Sequence, residues 1–278
     1  MRFKKVYLEI TNVCNLCCSF CHGTRRPVRF LSPAEFDVLA GKLAGSTEYI
    51  YFHLMGEPLL HPELDQLLEL AGARGFKVNL TTNGVLLPKA AETLLSSPAL
   101  HRVNLSLQSW EANDSVCSLS DYIGQCADFA KAAAARGILI SLRLWNGGGA
   151  ETRNAEILSL LREAFPGQWK PAQHNTVLAD RVFLEYGSKF DWPDVNAEKS
   201  GACFCRGLRD QIGILCDGTV VPCCLDAEGT LALGNLFSAE TLDDILNSPR
   251  AKAIYDGFSR REAVEELCRR CGYAARFS

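Results

Sequence analysis

Residues 6–21 read Val6-Tyr7-Leu8-Glu9-Ile10-Thr11-Asn12-Val13-Cys14-Asn15-Leu16-Cys17-Cys18-Ser19-Phe20-Cys21. The first six, rich in β-branched and aromatic side chains, form a strand candidate, and a loop crowded with cysteines follows almost at once. Cys14, Cys18 and Cys21 are spaced CxxxCxxC, while Cys17 lies between them at a spacing that fits less well. Three thiolates on a short loop after a strand suit three irons of a [4Fe–4S] cluster. Electron-transfer clusters mostly take four cysteines. Three leave one iron open, which is what a catalytic metal needs. Taken alone, the string also suits a zinc knuckle or a chance group of core cysteines.

Outward from this loop the chain alternates between strand and helix. Ser32-Pro33-Ala34-Glu35 is a capping box with proline at the first helical position, and the helix it opens runs toward Gly45. Further strands are expected at 49–54, 77–82, 102–107, 138–144 and 181–186, and helices at 62–74, 87–96, 118–136 and 153–164. Leu64, Leu67, Leu68 and Ala71 give the 62–74 helix an apolar face, and Gly75 stops it. Strands separated by helices pair in parallel through right-handed crossovers. Six such units predict an α/β fold, a partial (β/α)6 barrel. After Gly187 the texture changes: QIGILCDGTVVPCC (211–224) reads as a β-hairpin turning at Asp217-Gly218, followed by a helix near 239–247 and a terminal helix carrying Cys268 and Cys271. The expected division is a core over 1–187 and a small α+β unit over 188–278.

A length of 278 residues suits one large unit with an appendage. With 47% hydrophobic and 22% charged residues, disorder is excluded. A net charge of −3 gives no pull toward nucleic acid or anionic membrane. No apolar run of membrane length occurs, and the opening MRFKKVYLEI carries no secretion signal, so a cytoplasmic location is expected. In that reducing compartment 13 cysteines point to metal or redox chemistry rather than disulfides. Arg25, Arg26 and Arg29, and likewise Arg269 and Arg270, read as solvated loop charge. The first group could instead meet an acidic substrate or the negative field of a cluster. Gly147-Gly148-Gly149 lacks a phosphate-loop frame and reads as a flexible loop.

The N-terminal cysteine string resembles the signature of the radical S-adenosylmethionine (SAM) enzymes. Further matches fall at successive strand ends, where β/α barrels keep their chemistry. Met55-Gly56-Glu57-Pro58 resembles the GGEP-type motif, with Met55 in place of the first glycine. Thr82-Asn83-Gly84 matches the strand-three TNG element, and Ser106 matches a strand-four serine, with Gln108 where an acid often stands. The resemblance implies that Cys14, Cys18 and Cys21 hold a [4Fe–4S] cluster and that Phe20 lies against the adenine of SAM. It implies that Gly56 and Glu57 accept the SAM ammonium, with Thr82, Asn83, Ser106 and Gln108 as further SAM contacts. Arg143 is a candidate to clamp the SAM carboxylate, or else a structural ion pair.

Cys205, the Gly218-to-Cys223 hairpin and the Cys268/Cys271 pair look like the SPASM/twitch extension of these enzymes, in its shorter twitch form. This implies one auxiliary [4Fe–4S] cluster on Cys205, Cys223, Cys268 and Cys271; Cys203 competes for the first position, and a structural zinc is the alternative. Cys117, Cys126, Cys216 and Cys224 are expected as small core residues. Of these, Cys117 is the candidate to return a hydrogen atom to a product radical, because it follows strand four. The implied activity is reductive cleavage of SAM to a 5′-deoxyadenosyl radical that abstracts hydrogen from an unactivated C–H bond. Flavodoxin or ferredoxin would supply the electron. The substrate would be a peptide undergoing epimerisation, crosslinking or oxidation, or a small polyol or aminocyclitol undergoing dehydrogenation. Strand one begins close to Met1, so no fused leader-peptide-binding domain is expected ahead of it. Outside this class, a zinc-bound binding module and a plain iron–sulfur electron carrier remain.

Overall fold

Six parallel strands alternate with helices to form the frame, in a computed structural model that describes residues 3–111, 113, 117–149 and 153–277. In chain order the frame is β1 Lys5–Leu8, α1 Pro33–Leu43, β2 Tyr49–Tyr51, α2 Leu64–Ala73, β3 Lys77–Thr82, α3 Leu87–Ser96 and β4 Leu100–Ser106. It continues through α4 Gln108–Glu111, α5 Leu119–Ala135, β5 Leu139–Gly147, α6 Asn154–Ala164, β6 Lys170–Pro171, β7 Thr176–Ala179 and β8 Val182–Ser188. Then come β9 Gln211–Ile214, β10 Thr219–Val221, β11 Gly234–Asn235, α7 Leu242–Leu246, α8 Pro249–Ser259 and α9 Glu266–Arg269.

The capping box forms as the sequence predicts: Ser32 accepts from the Glu35 backbone and Glu35 reaches back to Ser32. Helices α1, α2, α3, α5 and α6 each bury an apolar stripe in the core beside the sheet. In α2, Leu64, Leu67, Leu68 and Ala71 are buried, and Gly75 beyond its end takes φ +76°.

The sheet runs β11-β10-β9-β1-β2-β3-β4-β5-β8-β7-β6 and stays open, so the barrel is partial. Strands β1 to β5 and β8 pair in parallel throughout. The hairpin beyond residue 188 continues the same sheet: β9 pairs in parallel with β1, with Lys5 opposite Gln211 and Leu8 opposite Ile214, and β10 folds back antiparallel on β9. That pairing satisfies backbone groups that β1 would otherwise leave bare at an edge. At the other margin β7 lies antiparallel to β8, and β6 to β7, an addition absent from the sequence reading. Val6, Leu8, Ile50, Val78, Leu80, Val103 and Leu105 face the helices in one large core. The alternate residues turn inward, and many are polar. No described helix is long and apolar enough to cross a membrane.

Candidate active site

Strand β1 delivers the chain into the cysteine loop, where Cys14 and Cys21 are exposed and Cys18 is half-buried. Burial, together with repulsion from Cys21, Cys14 and Cys17, pushes the Cys18 thiol up to about 11. Asn113, after α4, donates from Nδ2 to Cys18 Sγ at 3.1 Å and accepts from the Cys17 backbone at 3.2 Å. No sequence motif marked this asparagine; its spacing from Ser109 on one helical turn is the only clue.

The loops after β2 and β3 hold the cysteine loop from beneath. Gly56 sits at φ +77°, and a Cβ there would stand 2.4 Å from the Thr11 carbonyl oxygen, so only glycine lets the two backbones touch. The Glu57 backbone N–H donates to Val13 O at 2.7 Å, and Asn83 Nδ2 donates to Asn15 Oδ1 at 2.9 Å. Glu57 is 2% exposed, and both its oxygens are engaged: Oε1 accepts from Leu59 N at 3.0 Å and Oε2 from Asn83 N at 2.8 Å. Burial pushes its carboxyl up to about 7 against these hydrogen bonds and one from Thr82. Gly56, Glu57, Thr82 and Asn83 therefore form one buttress behind the cysteine loop.

A second buttress is Glu9, fully buried at the end of β1. Its Oε1 accepts from Arg26 Nη2 at 2.6 Å and Met55 N at 3.2 Å, and its Oε2 accepts from Cys216 N at 3.0 Å. Arg26 also donates from Nε to Ala227 O, while Arg29 pairs with Glu35 and donates to Cys216 O. Arg25 stays exposed and engages Glu228 through its backbone N–H at 2.9 Å, whereas Arg26 and Arg29 are tied into the fold rather than left as solvated loop charge. A buried carboxylate requires a counter-ion, and these arginines pin the loop to the C-terminal hairpin. Arg269 and Arg270 both pair with Glu266.

A cavity of about 280 Å³ opens inside the partial barrel. Of the expected SAM contacts, Phe20, Ser106, Gln108 and Arg143 line it. Strands β1, β3 and β4 also contribute Tyr7, Thr81 and Asn104, and the segment after β2, which ends at Tyr51 rather than at 54, contributes His53; Tyr7, His53 and Asn104 had not stood out in the sequence. Asn104 Nδ2 donates to Thr81 Oγ1 at 3.1 Å. Burial, with Arg143 and Lys5 nearby, lowers His53 to about 3, so its ring is neutral. Three buried polar atoms on this wall have no protein partner: His53 Nδ1, Asn104 Oδ1 and Gln108 Oε1. Arg143 turns out to face the cavity and to be ion-paired as well, with Nε 3.3 Å from Glu185 Oε2 and its guanidinium 4.4 Å from the Trp145 ring centroid. The mouth is aromatic, with Trp145, Phe190, Trp192 and Tyr273. Trp192 donates from Nε1 to Phe20 O at 3.0 Å, tying the 188–205 segment to the cysteine loop.

On the far side lies the second cysteine group. Cys223 and Cys268 each feel Cys205, and Cys271 does too; burial and this mutual repulsion hold Cys223 and Cys268 far above the ordinary thiol range. Cys205 thus stands with the other three. Cys224, adjacent to Cys223, turns the other way and lines the cavity; burial pushes its thiol up to about 11, and it hydrogen-bonds the Tyr7 side chain. Cys117 is not among the lining residues; it packs on the core beside Trp110, whose Nε1 donates to the Cys117 carbonyl at 2.9 Å. Cys126 and Cys216 are core residues, as expected. The strand-four position suggested Cys117, but the chain leaves the cavity through α4 before reaching it. Among the described residues no three His, Cys, Asp or Glu side chains converge tightly enough for a single metal ion.

The family model of the radical SAM superfamily matches residues 8–166, more than half of the chain. The chain belongs to the radical SAM superfamily. A second model, the SPASM iron–sulfur cluster-binding domain, matches residues 203–272. The cofactors of this radical SAM protein are accordingly SAM, a SAM-binding [4Fe–4S] cluster and an auxiliary [4Fe–4S] cluster. The residues present fit them: two separate thiol groups flank one cavity whose wall carries unpartnered polar atoms.

Among relatives, a probable GTP 3′,8-cyclase of Aeropyrum pernix is 37% identical over 117 residues, covering 38% of this chain and 32% of that protein. The chain thus matches only about a third of the length of such curated relatives. Among solved structures, BtrN in complex with AdoMet and 2-DOIA aligns with TM-score 0.56 at 17% identity, covering 98% of this chain and 93% of that one. Streptococcus suis SuiB bound to precursor peptide SuiA aligns with TM-score 0.64 at 16% identity, covering 99% and 71%. At these identities the likeness is one of fold.

Proposed function

We propose that this radical SAM protein abstracts a hydrogen atom from an unactivated C–H bond of a peptide held in the cavity between its two cysteine groups, as a step in epimerisation, crosslinking or oxidation. One observation carries the proposal: a single cavity is walled on one side by Phe20 of the first cysteine loop and on the other by Cys224, the neighbour of Cys223. In this reading residues 1–187 are the catalytic core and 188–278 the auxiliary unit. Cys14, Cys18 and Cys21 hold the SAM-binding cluster, and Cys205, Cys223, Cys268 and Cys271 the auxiliary one. When bound, these groups supply hydrogen-atom abstraction and a route for single electrons.

The chain's own residues do the rest. Phe20, Ser106 and Gln108 orient SAM against the wall, where the unpartnered Gln108 Oε1 accepts a hydroxyl or ammonium proton, while Arg143, paired with Glu185, faces the rest of the chamber. Gly56, Glu57, Thr82 and Asn83 act one layer back, fixing the cysteine loop. Trp145, Phe190, Trp192 and Tyr273 seat the substrate and exclude water. Cys224, rather than Cys117, is positioned to give its S–H hydrogen to a substrate carbon radical. The S–H bond would break as a C–H bond forms; restoring the thiol would need one proton and one electron, and a single electron is what a cluster held by Cys205, Cys223, Cys268 and Cys271 beside Cys224 would supply.

The aromatic mouth and the fold shared with peptide-bound SuiB support a peptide. A small polyol or aminocyclitol is the second reading, favoured by the nearly complete mutual coverage with BtrN, whose complex holds 2-DOIA. Anaerobically reconstituted protein reduced with dithionite is expected to convert SAM to 5′-deoxyadenosine, and Cys18→Ala to abolish the conversion. Wild-type protein that is loaded with iron yet leaves SAM intact would sink the proposal.

A further inference from the structure

Three cations reach the cavity wall, Lys5, Arg143 and Lys189, and among the described residues no carboxylate lines it. Glu185 stands close by but is shared: its oxygens lie 3.3 Å from Arg143 Nε and 3.5 Å from Arg102 Nη1. One negative charge therefore answers two guanidiniums and, beyond them, the ammonium of Lys5, which feels Arg143, Arg102 and Glu185 alike. Partial burial and those two arginines hold Lys5 below the ordinary lysine range. Its ammonium also lies 5.8 Å from the Tyr51 ring centroid.

SAM does not settle this imbalance. Its sulfonium and ammonium outnumber its one carboxylate, so it brings net positive charge. Lys5 moreover opens β1, at the end of that strand away from the cysteine loop. Next to these cations stand two of the buried polar atoms without protein partners, His53 Nδ1 and Asn104 Oδ1. A neutral imidazole can present N–H at Nδ1.

Resting on the reading of this cavity as the substrate chamber, we propose that the substrate carries an oxyanion, a carboxylate or a phosphate, seated between Lys5 and Arg143 with His53 Nδ1 as a hydrogen-bond donor. Lys5 itself is exposed at the opening of β1 while Arg143 lies on the cavity wall, so an oxyanion spanning them answers the excess charge and pairs an orphaned donor at once. The C–H bond to be broken then lies on the cysteine-loop side of that anchor, so the anchor sets which carbon is presented. Lys189, at the mouth, adds attraction on entry.

The test uses holoprotein with SAM present, under anaerobic conditions, titrated calorimetrically with inorganic pyrophosphate, with succinate and with neutral succinamide. Saturable binding of at least one anion, no binding of succinamide, and a loss of about tenfold or more in affinity in Lys5→Gln are expected. Lys5→Arg should retain binding, which separates charge from folding. A preference for pyrophosphate assigns a phosphate, and a preference for succinate a carboxylate. Binding by neither anion, equal binding of the diamide, or unchanged affinity in Lys5→Gln overturns the inference, even while the same sample still cleaves SAM. Failure of SAM cleavage overturns instead the function proposed above.

Discussion

Glu9 is where the segment after the first cysteine loop is clasped to the C-terminal hairpin, and Glu9→Gln should show it. The wild-type carboxylate is fully buried, and its two oxygens take three hydrogen bonds, from Arg26, Met55 and Cys216. A glutamine can place its oxygen where Oε1 now accepts from Arg26 and Met55, but its amide then points N–H at the Cys216 N–H. One buried donor loses its acceptor, at a cost of about 1–3 kcal/mol. The larger effect is charge: Arg26, with its side chain only 12% exposed, is left without a counter-ion, and breaking such a pair costs about 3–5 kcal/mol. For a chain of this size that is a fall in melting temperature on the order of 10 °C. Arg26→Met should cost a similar amount by stranding Glu9. The double variant Glu9→Gln/Arg26→Met should recover about 2 kcal/mol relative to the sum of the single changes. Thermal and urea melts of the four proteins close the cycle. A loss below about 1 kcal/mol in Glu9→Gln, or strict additivity in the double variant, would refute the account of Glu9 as a buried, charge-compensated clasp.

Two further outcomes follow from the site. Asn113→Ala removes the N–H that Asn113 points at Cys18 Sγ, a bond worth about 1 kcal/mol, so the first cluster should become harder to reduce by roughly 40 mV at unchanged iron content. A spectroscopic redox titration measures this, and an unmoved potential would show that Asn113 only shapes the loop. His53 is held neutral in the fold, at about 3, whereas an unfolded histidine protonates near 6.5. The unfolded chain therefore binds the extra proton, and its folded-state advantage is complete above about pH 6.5 and erodes as pH falls toward 3. The expected slope is about 1.4 kcal/mol per pH unit from this residue. His53→Gln should flatten that part of the stability curve, and an identical acid limb in both proteins would contradict it.

Much of the frame was legible because its signals are local. The capping box at Ser32–Glu35 and the apolar spacing of α2 act within a few residues, and both formed as read. Helix α8 carried an equally local mark, Ser248 capping it with Pro249 at its first position, which the sequence reading passed over. The hairpin at Asp217-Gly218 was equally plain, since Gly218 takes φ +82°. Its docking on β1 was not, because strand order is a property of edges that no single segment encodes.

The cysteine spacings and the strand-end motifs were set by the sequence alone, since iron–sulfur ligands and tight turns demand particular residue types at fixed separations. What each of those side chains faces was decided only by the tertiary structure. Glu57 reads as an acid for a ligand, yet the fold turns both its oxygens onto backbone N–H groups. The sequence favoured Cys117 over Cys224 by its place after strand four, yet Cys224 reaches the cavity where Cys117 does not. Lys5, Tyr7 and Asn104 are ordinary strand residues, and His53 an ordinary residue just past β2, until the curled sheet brings them onto one inner wall. Alternation along a strand says that a residue points inward; which charges it meets there depends on neighbours that can lie more than a hundred residues away, as Glu185 does from Lys5.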